Sequence, residues 1–173
     1  MRKTISGILI FTLTGFAAYW SVIFVTPYAV LLKVKLSSRS EFNHPIYADI
    51  ITDKDRHVVL PNPDFLYVVS GYDIRKSPVR ITGKMPEDAY SSIAVYSNNT
   101  LNFFIKNDRQ TPSKEFNILL VKEGEDVKYS ESGSEVLPAP SNLGTVMMRI
   151  LIDDTSRIDY LKEIQKTFRI EPL

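Results

Sequence analysis

The sequence has no cysteine, which excludes disulfide frameworks, cysteine zinc sites and thiolate nucleophiles. Its seven glycines form neither the G-x-G-x-x-G pattern of dinucleotide-binding proteins nor the P-loop pattern G-x-x-x-x-G-K-[ST]. Its two histidines form no H-E-x-x-H zinc motif, and no G-x-S-x-G nucleophile elbow occurs. No motif for a known reaction mechanism therefore remains, and the sequence indicates no cofactor.

Acidic residues are absent before Glu41, whereas four basic residues precede Leu36. Those four are Arg2, Lys3, Lys33 and Lys35. The other 17 of the 21 lysines and arginines stand against 20 aspartates and glutamates, so the chain from Leu36 onward carries a net charge of −3. Nucleic-acid-binding domains present clustered basic residues and a positive net charge. The charge distribution excludes that class.

A long uncharged run is the strongest positive signal. Residues 5–32 hold 28 consecutive residues without a charge, after a short basic segment at 1–4, and a bilayer crossing needs about 20. Tyr19, Trp20 and Tyr28 supply rings suited to membrane interfaces. The run predicts a transmembrane signal anchor. The alternative is a cleaved signal peptide, because Gly15-Phe16-Ala17 fits a cleavage site, but the apolar run continues well beyond the usual 7 to 15 or so residues.

The orientation of this anchor depends on two opposing charge signals. Lys33, Lys35 and Arg39 outnumber Arg2 and Lys3, so a strict positive-inside count keeps the following domain in the cytoplasm. Long domains are translocated largely regardless of that count, and a short basic N-terminus before an apolar segment is typical of export. We expect an exported domain.

The chain of 173 residues has room for one globular domain besides the anchor. Residues 33–44 are polar and serine-containing, which indicates a linker, and the folded domain is expected at 45–173. Short Val-, Ile-, Tyr- and Phe-rich runs separated by turn residues predict a mainly β domain, an antiparallel sandwich, jelly roll or partial barrel. The predicted strands are Ile46–Ile51, His57–Leu60, Phe65–Tyr72, Val79–Thr82, Ser91–Tyr96, Leu101–Lys106, Phe116–Lys122 and Thr145–Asp153.

The segment Ser97–Thr100 predicts a hairpin turn, because asparagine tolerates the positive φ that tight turns require. The same residues contain an N-x-T glycosylation pattern at Asn98. The turn explains them without a sugar.

The end of the chain combines an alternating strand with an amphipathic helix. Val146, Met148, Ile150 and Ile152 fall on one face of the predicted strand and Met147, Arg149 and Leu151 on the other. Thr155 or Ser156 then provides a helix N-cap, and Ile158, Leu161, Ile164 and Phe168 follow at helical spacing. We expect about 12 helical residues packed on the sheet, rather than a helix lying on the membrane.

Histidines and aspartates are densest around the predicted start of the domain. If these side chains converged, they would suit zinc or iron. The candidates are His44, Asp49, Asp53, Asp55 and His57. However, Asp53-Lys54-Asp55-Arg56 alternates in charge within a turn-rich stretch, which is typical of a solvated loop.

Four stretches of the chain carry a family resemblance. They are Pro61–Tyr67, the turn Ser77-Pro78-Val79, the segment Gly144–Ile152 and the terminal Glu171-Pro172-Leu173. They resemble the bacterial domain of unknown function 1254 over residues 45–173. Its members have an Asn-x-Asp-Thr-Leu-Tyr motif entering a strand, then an aspartate and a Gly-Pro-Val turn. This chain has Phe65 where the family usually has threonine, and Ser77 where the family often has the glycine of the Gly-Pro-Val turn.

The resemblance implies a β-rich domain, exported or membrane-anchored, here at the bacterial inner membrane with the domain in the periplasm. It also implies a companion protein with the domain of unknown function 1214, encoded beside such domains or fused to them. No reaction is established for the family. Residues carried over as a candidate ligand-binding site are Asn62, Asp64, Tyr67, Asp73 and Arg149.

Each candidate site residue also has a structural interpretation. Asn62 and Asp64 suit a turn, Asp73 suits the next turn, and Tyr67 suits the core. The favoured function is a non-catalytic envelope protein that binds a partner or small ligand. The alternative is an envelope hydrolase using Asp64 and Asp73 with Arg149. A buried Arg149 would need a carboxylate, and Asp64 is the predicted partner, with Asp73 and Asp153 as the competing ones. On an edge strand, with Arg149 in solvent, no partner would be needed.

Overall fold

A computed structural model describes residues 2–37, 42–51, 62–124 and 133–173. Helix α1 spans Arg2–Ser37. Its segment Lys3–Val30, 28 residues, is long and apolar enough to cross a membrane, and none of that apolar stretch is buried inside the protein. The hydroxyls of Thr12, Ser21 and Thr26 donate to carbonyls four residues earlier. These bonds hide polar groups on an apolar helix. The predicted apolar segment is thus one continuous helix.

Nine strands of the described residues form two sheets. They are β1 Ile46–Tyr47, β2 Phe65–Asp73, β3 Val79–Lys84, β4 Ser91–Ser97, β5 Asn102–Asn107, β6 Glu115–Lys122, β7 Glu135–Ala139, β8 Leu143–Leu151 and β9 Arg169–Pro172. The first sheet has the order β1-β2-β8-β4-β5 and the second the order β7-β6-β3-β9. All pairs are antiparallel except β6 with β7. The prediction of a mainly β domain is confirmed.

The predicted strands match the structure unevenly. The first prediction, Ile46–Ile51, is too long: β1 ends at Tyr47, and Asp49 turns its carboxylate onto the next amide, that of Ile50, at 2.8 Å. The predicted strand His57–Leu60 lies outside the described residues. The other six agree with strands to within a few residues. β7 and β9 were missed because both contain a proline, which sheets accept at their edges.

The core lies between the two sheets. Alternate residues of β8, Val146, Met148 and Ile150, are fully buried there, which confirms the predicted core face of this strand. From the second sheet, Ile118 and Leu120 of β6 pack against them in the same cluster. The other face of the first sheet points away from this core and carries the candidate site.

Helix α2, Ile158–Gln165, packs its Leu161 into the core, as the helical spacing predicts. The predicted cap and length need correction. The N-cap is Asp154, one residue before the predicted Thr155. Its carboxylate accepts the Ser156 N–H at 2.8 Å and so satisfies a free amide at the start of the turn that precedes α2. Residues Thr155–Arg157 form a 3-10 turn, so α2 itself has 8 residues.

The side chain of Gln165 ties α2 to the first sheet. Its Nε2 donates to the carbonyls of Ala48 at 2.8 Å and Tyr67 at 2.9 Å, and the residue is only 3% exposed. The Tyr67 carbonyl also accepts the Ala48 N–H at 2.9 Å. A single buried amide thus joins the helix, β2 and the segment after β1.

The chain before β1 already belongs to the first sheet. Asn43 donates its N–H to Gly71 O at 2.7 Å, and its side-chain oxygen accepts the Asp73 N–H at 2.9 Å. Residues 33–37, within the predicted linker, continue α1.

The hairpin between β4 and β5 turns at Ser97–Thr100, as predicted. Thr100 N–H donates to Ser97 O at 3.0 Å, and Asn99 Oδ1 accepts the Leu101 N–H at 3.1 Å. The left-handed residue is Thr100, with φ 64°, rather than either asparagine. Asn99 instead stabilises the turn through its side chain.

Gly144, near the start of β8, lies at the closest approach of three strands. A Cβ there would sit 2.1 Å from the Tyr96 carbonyl oxygen on β4 and 2.5 Å from the Tyr72 hydroxyl on β2. No other residue type fits without moving a strand.

Candidate functional site

The pairing of three neighbouring strands aligns a row of side chains on the outer face of the first sheet. Arg149 of β8 lies directly opposite Tyr67 of β2 on one side and Ser92 of β4 on the other. Directly opposite residues of antiparallel strands project to the same face. The row therefore lies on the face turned away from the core, because Met148 and Ile150, the neighbours of Arg149 along β8, are fully buried in the core.

Arg149 is held by two hydroxyls and two rings. Its Nε donates to Ser92 Oγ at 2.9 Å and its Nη2 to the Tyr90 hydroxyl at 3.4 Å. Its Cζ lies 5.7 Å from the Phe65 ring centre and 5.9 Å from that of Tyr90, within the range of cation–π attraction. We call Phe65, Tyr67, Tyr90, Ser92 and Arg149 the arginine cluster.

The charge of Arg149 is felt by its neighbour Tyr90. A hydrogen bond with Ser92, and then the bond and positive charge of Arg149, lower the pKa of the Tyr90 hydroxyl. Burial and the more distant carboxylate of Asp108 act in the opposite direction. The cluster is therefore a locally positive site.

Asp64 does not meet the predicted arginine. Among the described residues no ion pair joins Asp64 to Arg149, so the prediction that these two residues form a contact is wrong. The physical reason is the position of Asp64 in the turn before β2: its carbonyl accepts from Ile152 N–H at 2.7 Å, so it lies beside Ile152, three residues from Arg149 and at a position of opposite facing. Hydroxyls and rings contact the guanidinium instead.

Asn62 has the predicted role of a turn residue. Its side-chain oxygen binds the Asp64 N–H, and its carbonyl accepts from Phe65 N–H at 3.2 Å, which starts β2. Its own N–H donates to the Tyr67 hydroxyl at 3.2 Å. Through this bond Tyr67, which is only 7% exposed, links the turn to the arginine cluster.

Asp73 lies at the far end of β2 from Asp64. It binds Arg75 through both oxygens, with Nε–Oδ1 3.0 Å and Nη2–Oδ2 2.7 Å, and accepts the Arg75 N–H at 2.9 Å. The hydrogen bond from Arg75 is the main reason that the pKa of Asp73 is lowered. Asp73 closes its turn, as the structural interpretation predicts. At about 3.3 Å per residue, β2 separates the two aspartates by roughly 30 Å.

The histidine and aspartate candidates are only partly described. Asp49 pairs with Lys162 at 2.6 Å, and the resulting hydrogen bond lowers the pKa of Asp49. His44 Nδ1 lies 3.3 Å from the carbonyl of Phe42. Asp53, Asp55 and His57 lie outside the described residues. In the part of the chain that the structure describes, no group of three or more such side chains is placed to hold a metal ion.

An apolar row runs beside the arginine cluster on the same face. Strand register places Val69, Met147 and Ala94 next to one another, with Ile46 and Ile105 at the two ends. Ile105 is 53% exposed and Val69 and Met147 are half-buried. The arginine cluster and a partly exposed apolar row thus lie side by side on the outer face of the first sheet.

Of the five candidate residues, the structure brings Tyr67 and Arg149 into one cluster, attaches Asn62 to it through one hydrogen bond, and leaves Asp64 and Asp73 outside. Sequence reasoning missed Phe65, Tyr90 and Ser92 as members. Their signal is tertiary, because only the register of β4 against β8 shows that Ser92 faces Arg149.

Comparison with known proteins gives a family and a fold. A family model described as "Protein of unknown function (DUF1254)" matches residues 42–172. No curated protein matches the chain. The crystal structure of the VPA0106 protein from Vibrio parahaemolyticus is similar with a TM-score of 0.65 and 16% identity, over 87% of this chain and 37% of that one. An uncharacterised protein from Burkholderia cenocepacia gives 0.51 and 17%, over 84% and 40%. This chain thus spans about two fifths of each.

Proposed function

The chain belongs to the DUF1254 family, whose function is unknown, and from that premise we propose that it is a membrane-tethered, non-catalytic binding domain of the cell envelope. In this proposal α1 crosses the bacterial inner membrane once and the β domain lies in the periplasm. The observation that carries it is the arginine cluster: a half-buried arginine, fixed by rings and hydroxyls, faces outward with no acidic partner among the described residues.

Support for the tether comes from the surface of α1. None of its 28-residue apolar stretch is buried in the protein, and in water such a surface would be strongly unfavourable. Alkaline carbonate extraction of membranes tests the tether, with the chain expected in the pellet at full length. Full-length chain in the soluble fraction would contradict it.

The side of the membrane is testable because the chain has no cysteine of its own. Lys76→Cys places one thiol at an exposed position after β2. A maleimide that cannot cross membranes should label this thiol in cells whose outer membrane alone is permeabilised. Labelling that requires rupture of the inner membrane would place the domain in the cytoplasm.

Support for a non-catalytic role comes from the positions of the carboxylates. General acid–base catalysis by Asp64 and Asp73 needs both groups at one substrate. The strand between them and the ion pair of Asp73 with Arg75 keep them apart. We therefore favour binding over the envelope hydrolase.

For the partner, we propose a companion protein with the domain of unknown function 1214. In both similar solved structures about 60% of the chain lies outside the region that this chain covers, so this fold occurs there beside further polypeptide. The outer face of the first sheet offers the surface: the arginine cluster supplies a polar anchor and the apolar row supplies area.

Site-specific photocrosslinking tests this surface. The photoreactive amino acid p-benzoylphenylalanine at Ile105, at the exposed end of the apolar row, should give an adduct with an epitope-tagged companion in intact cells. The matched control carries it at Glu163, an exposed position of α2. Adducts of equal yield at both positions, or none at Ile105, would refute the proposed surface.

A further inference from the structure

We propose that Arg149 binds a carboxylate group of the ligand through the two terminal nitrogens of its guanidinium, with an apolar part of the same ligand lying on the neighbouring apolar row. This inference rests on the proposed function, because it names the chemistry that the outer face of the first sheet recognises.

A guanidinium offers two forks of parallel N–H donors on adjacent edges. One fork combines Nε with Nη2, and the other, at the tip, combines Nη1 with Nη2. Ser92 Oγ and the Tyr90 hydroxyl occupy the first fork, at 2.9 Å from Nε and 3.4 Å from Nη2. At the tip fork no acceptor is present within the described ranges of the chain. A tip fork of this geometry matches the two oxygens of a carboxylate.

The surroundings hold this fork in a fixed direction. The rings of Phe65 and Tyr90 lie against the guanidinium at 5.7 and 5.9 Å, and Ser92 restrains it from the strand beside it. Little side-chain freedom is then left to lose when a ligand binds, which raises affinity. Rings also lower the local dielectric and strengthen a charge-assisted hydrogen bond.

The charge of the site fits a monoanion better than a phosphate ester, which carries about −1.5 to −2. Arg149 is the single cation of the arginine cluster, and the nearby Lys114 is paired with Asp108 at 4.0 Å. Lys106, on the adjacent strand β5, is already paired with Glu135 at 2.7 Å. One positive charge is therefore available for one negative charge.

The apolar row indicates what is attached to the carboxylate. Met147 is two residues from Arg149 on the same face of β8, with Val69 and Ala94 directly opposite it. Alternate residues of a strand lie about 7 Å apart. A ligand with an apolar or aromatic group next to its carboxylate spans that distance, and benzoate is the simplest such probe.

Isothermal titration of the full chain in lipid nanodiscs with benzoate tests the inference. We expect saturable binding with one site, no saturable binding of inorganic phosphate, and a Kd at least about tenfold higher for Arg149→Lys, because lysine has no planar fork. Arg75→Lys is the control, since Arg75 is exposed and pairs with Asp73. Absence of saturable benzoate binding, an unchanged Kd for Arg149→Lys, or binding of phosphate in place of benzoate would each overturn the carboxylate assignment.

A second pair of variants tests the carboxylate assignment if Arg149→Lys folds poorly. Met147→Glu places a carboxylate of the protein itself beside Arg149, and Met147→Gln has the same size without the charge. We expect Met147→Glu to bind benzoate at least about tenfold more weakly than Met147→Gln, and equal affinities would overturn the inference. If benzoate fails while the adduct at Ile105 persists, the carboxylate assignment falls and the proposed function stands. If the adduct also fails, both fall.

Discussion

Replacing Gln165 by leucine should destabilise the fold by about 1.5 to 4.5 kcal/mol. The side-chain amide donates to two carbonyls, those of Ala48 and Tyr67, and is almost fully buried. The Tyr67 carbonyl keeps the Ala48 N–H, so it loses one of two bonds, a loss of about 0.5 to 1.5 kcal/mol. The Ala48 carbonyl loses the side-chain donor and gains none from leucine, which costs about 1 to 3 kcal/mol.

Urea unfolding, followed by far-ultraviolet circular dichroism, measures this loss. The matched control is Glu163→Leu, which makes a similar change at an exposed position of the same helix and should stay within about 0.5 kcal/mol. A loss under about 1 kcal/mol for Gln165→Leu would refute the reasoning, because water or a shifted backbone would then satisfy the Ala48 carbonyl.

Glutamate at the same position adds a dependence on pH. Only the neutral carboxyl can donate a hydrogen bond, and burial opposite two carbonyl oxygens disfavours the charged form, so the folded-state pKa of this glutamate rises above the unfolded value of about 4.3. The stability that the neutral group contributes is fully present below that unfolded pKa. It is lost as pH rises toward the folded pKa, at up to about 1.4 kcal/mol per pH unit. A flat difference between Gln165→Glu and the parent from pH 4 to 7 would contradict this.

Three further predictions use the same measurement. Gly144→Ala should cost at least about 2 kcal/mol, because its Cβ would meet the Tyr96 carbonyl oxygen at 2.1 Å, and a loss under 1 kcal/mol would show that the strands separate freely. Asp73→Asn should cost under about 1 kcal/mol, since Arg75 is exposed and Asp73 is only partly buried. Because the pKa of Asp73 is lowered, that contribution is present above the unfolded value of about 3.9 and is lost as pH falls through the folded pKa; a difference that does not shrink as pH falls below about 3.9 would contradict it. A chain truncated to begin at Ser40 should be soluble and give a β-type circular dichroism spectrum, and an unfolded spectrum would show that α1 is needed for folding.

The sequence predicts the parts of this fold that depend on local periodicity. The uncharged run, the alternation of β8 and the helical spacing around Leu161 each follow from the repeat of one element, and all are present in the structure. β7 and β9 are different, because a proline-containing strand of four or five residues has no periodicity to detect. Such strands form because a neighbour, β6 or β3, offers them a free edge.

The candidate site was only half predictable for a similar reason. The alternation of β8 separates Arg149 from Val146, Met148 and Ile150, but which face is the core, and which side chains meet Arg149, depend on which strands flank β8 and in what register. A buried arginine was expected to require a carboxylate, and Asp64 was the nearest choice in the motif. In the structure Ser92, Tyr90 and Phe65 hold the guanidinium, a combination that no spacing in the sequence reveals.

The central position of β8 sets when this domain can fold. Its flanking strands β2 and β4 leave the ribosome long before residues 143–151, and β3 waits for β9 at residues 169–172. The first sheet thus stays incomplete until residue 151 is synthesised and the second until residue 172, and pairings between such distant segments form slowly. The core between the sheets therefore cannot close while the chain is still being made, whereas α1 is synthesised first and is available to a membrane throughout that time.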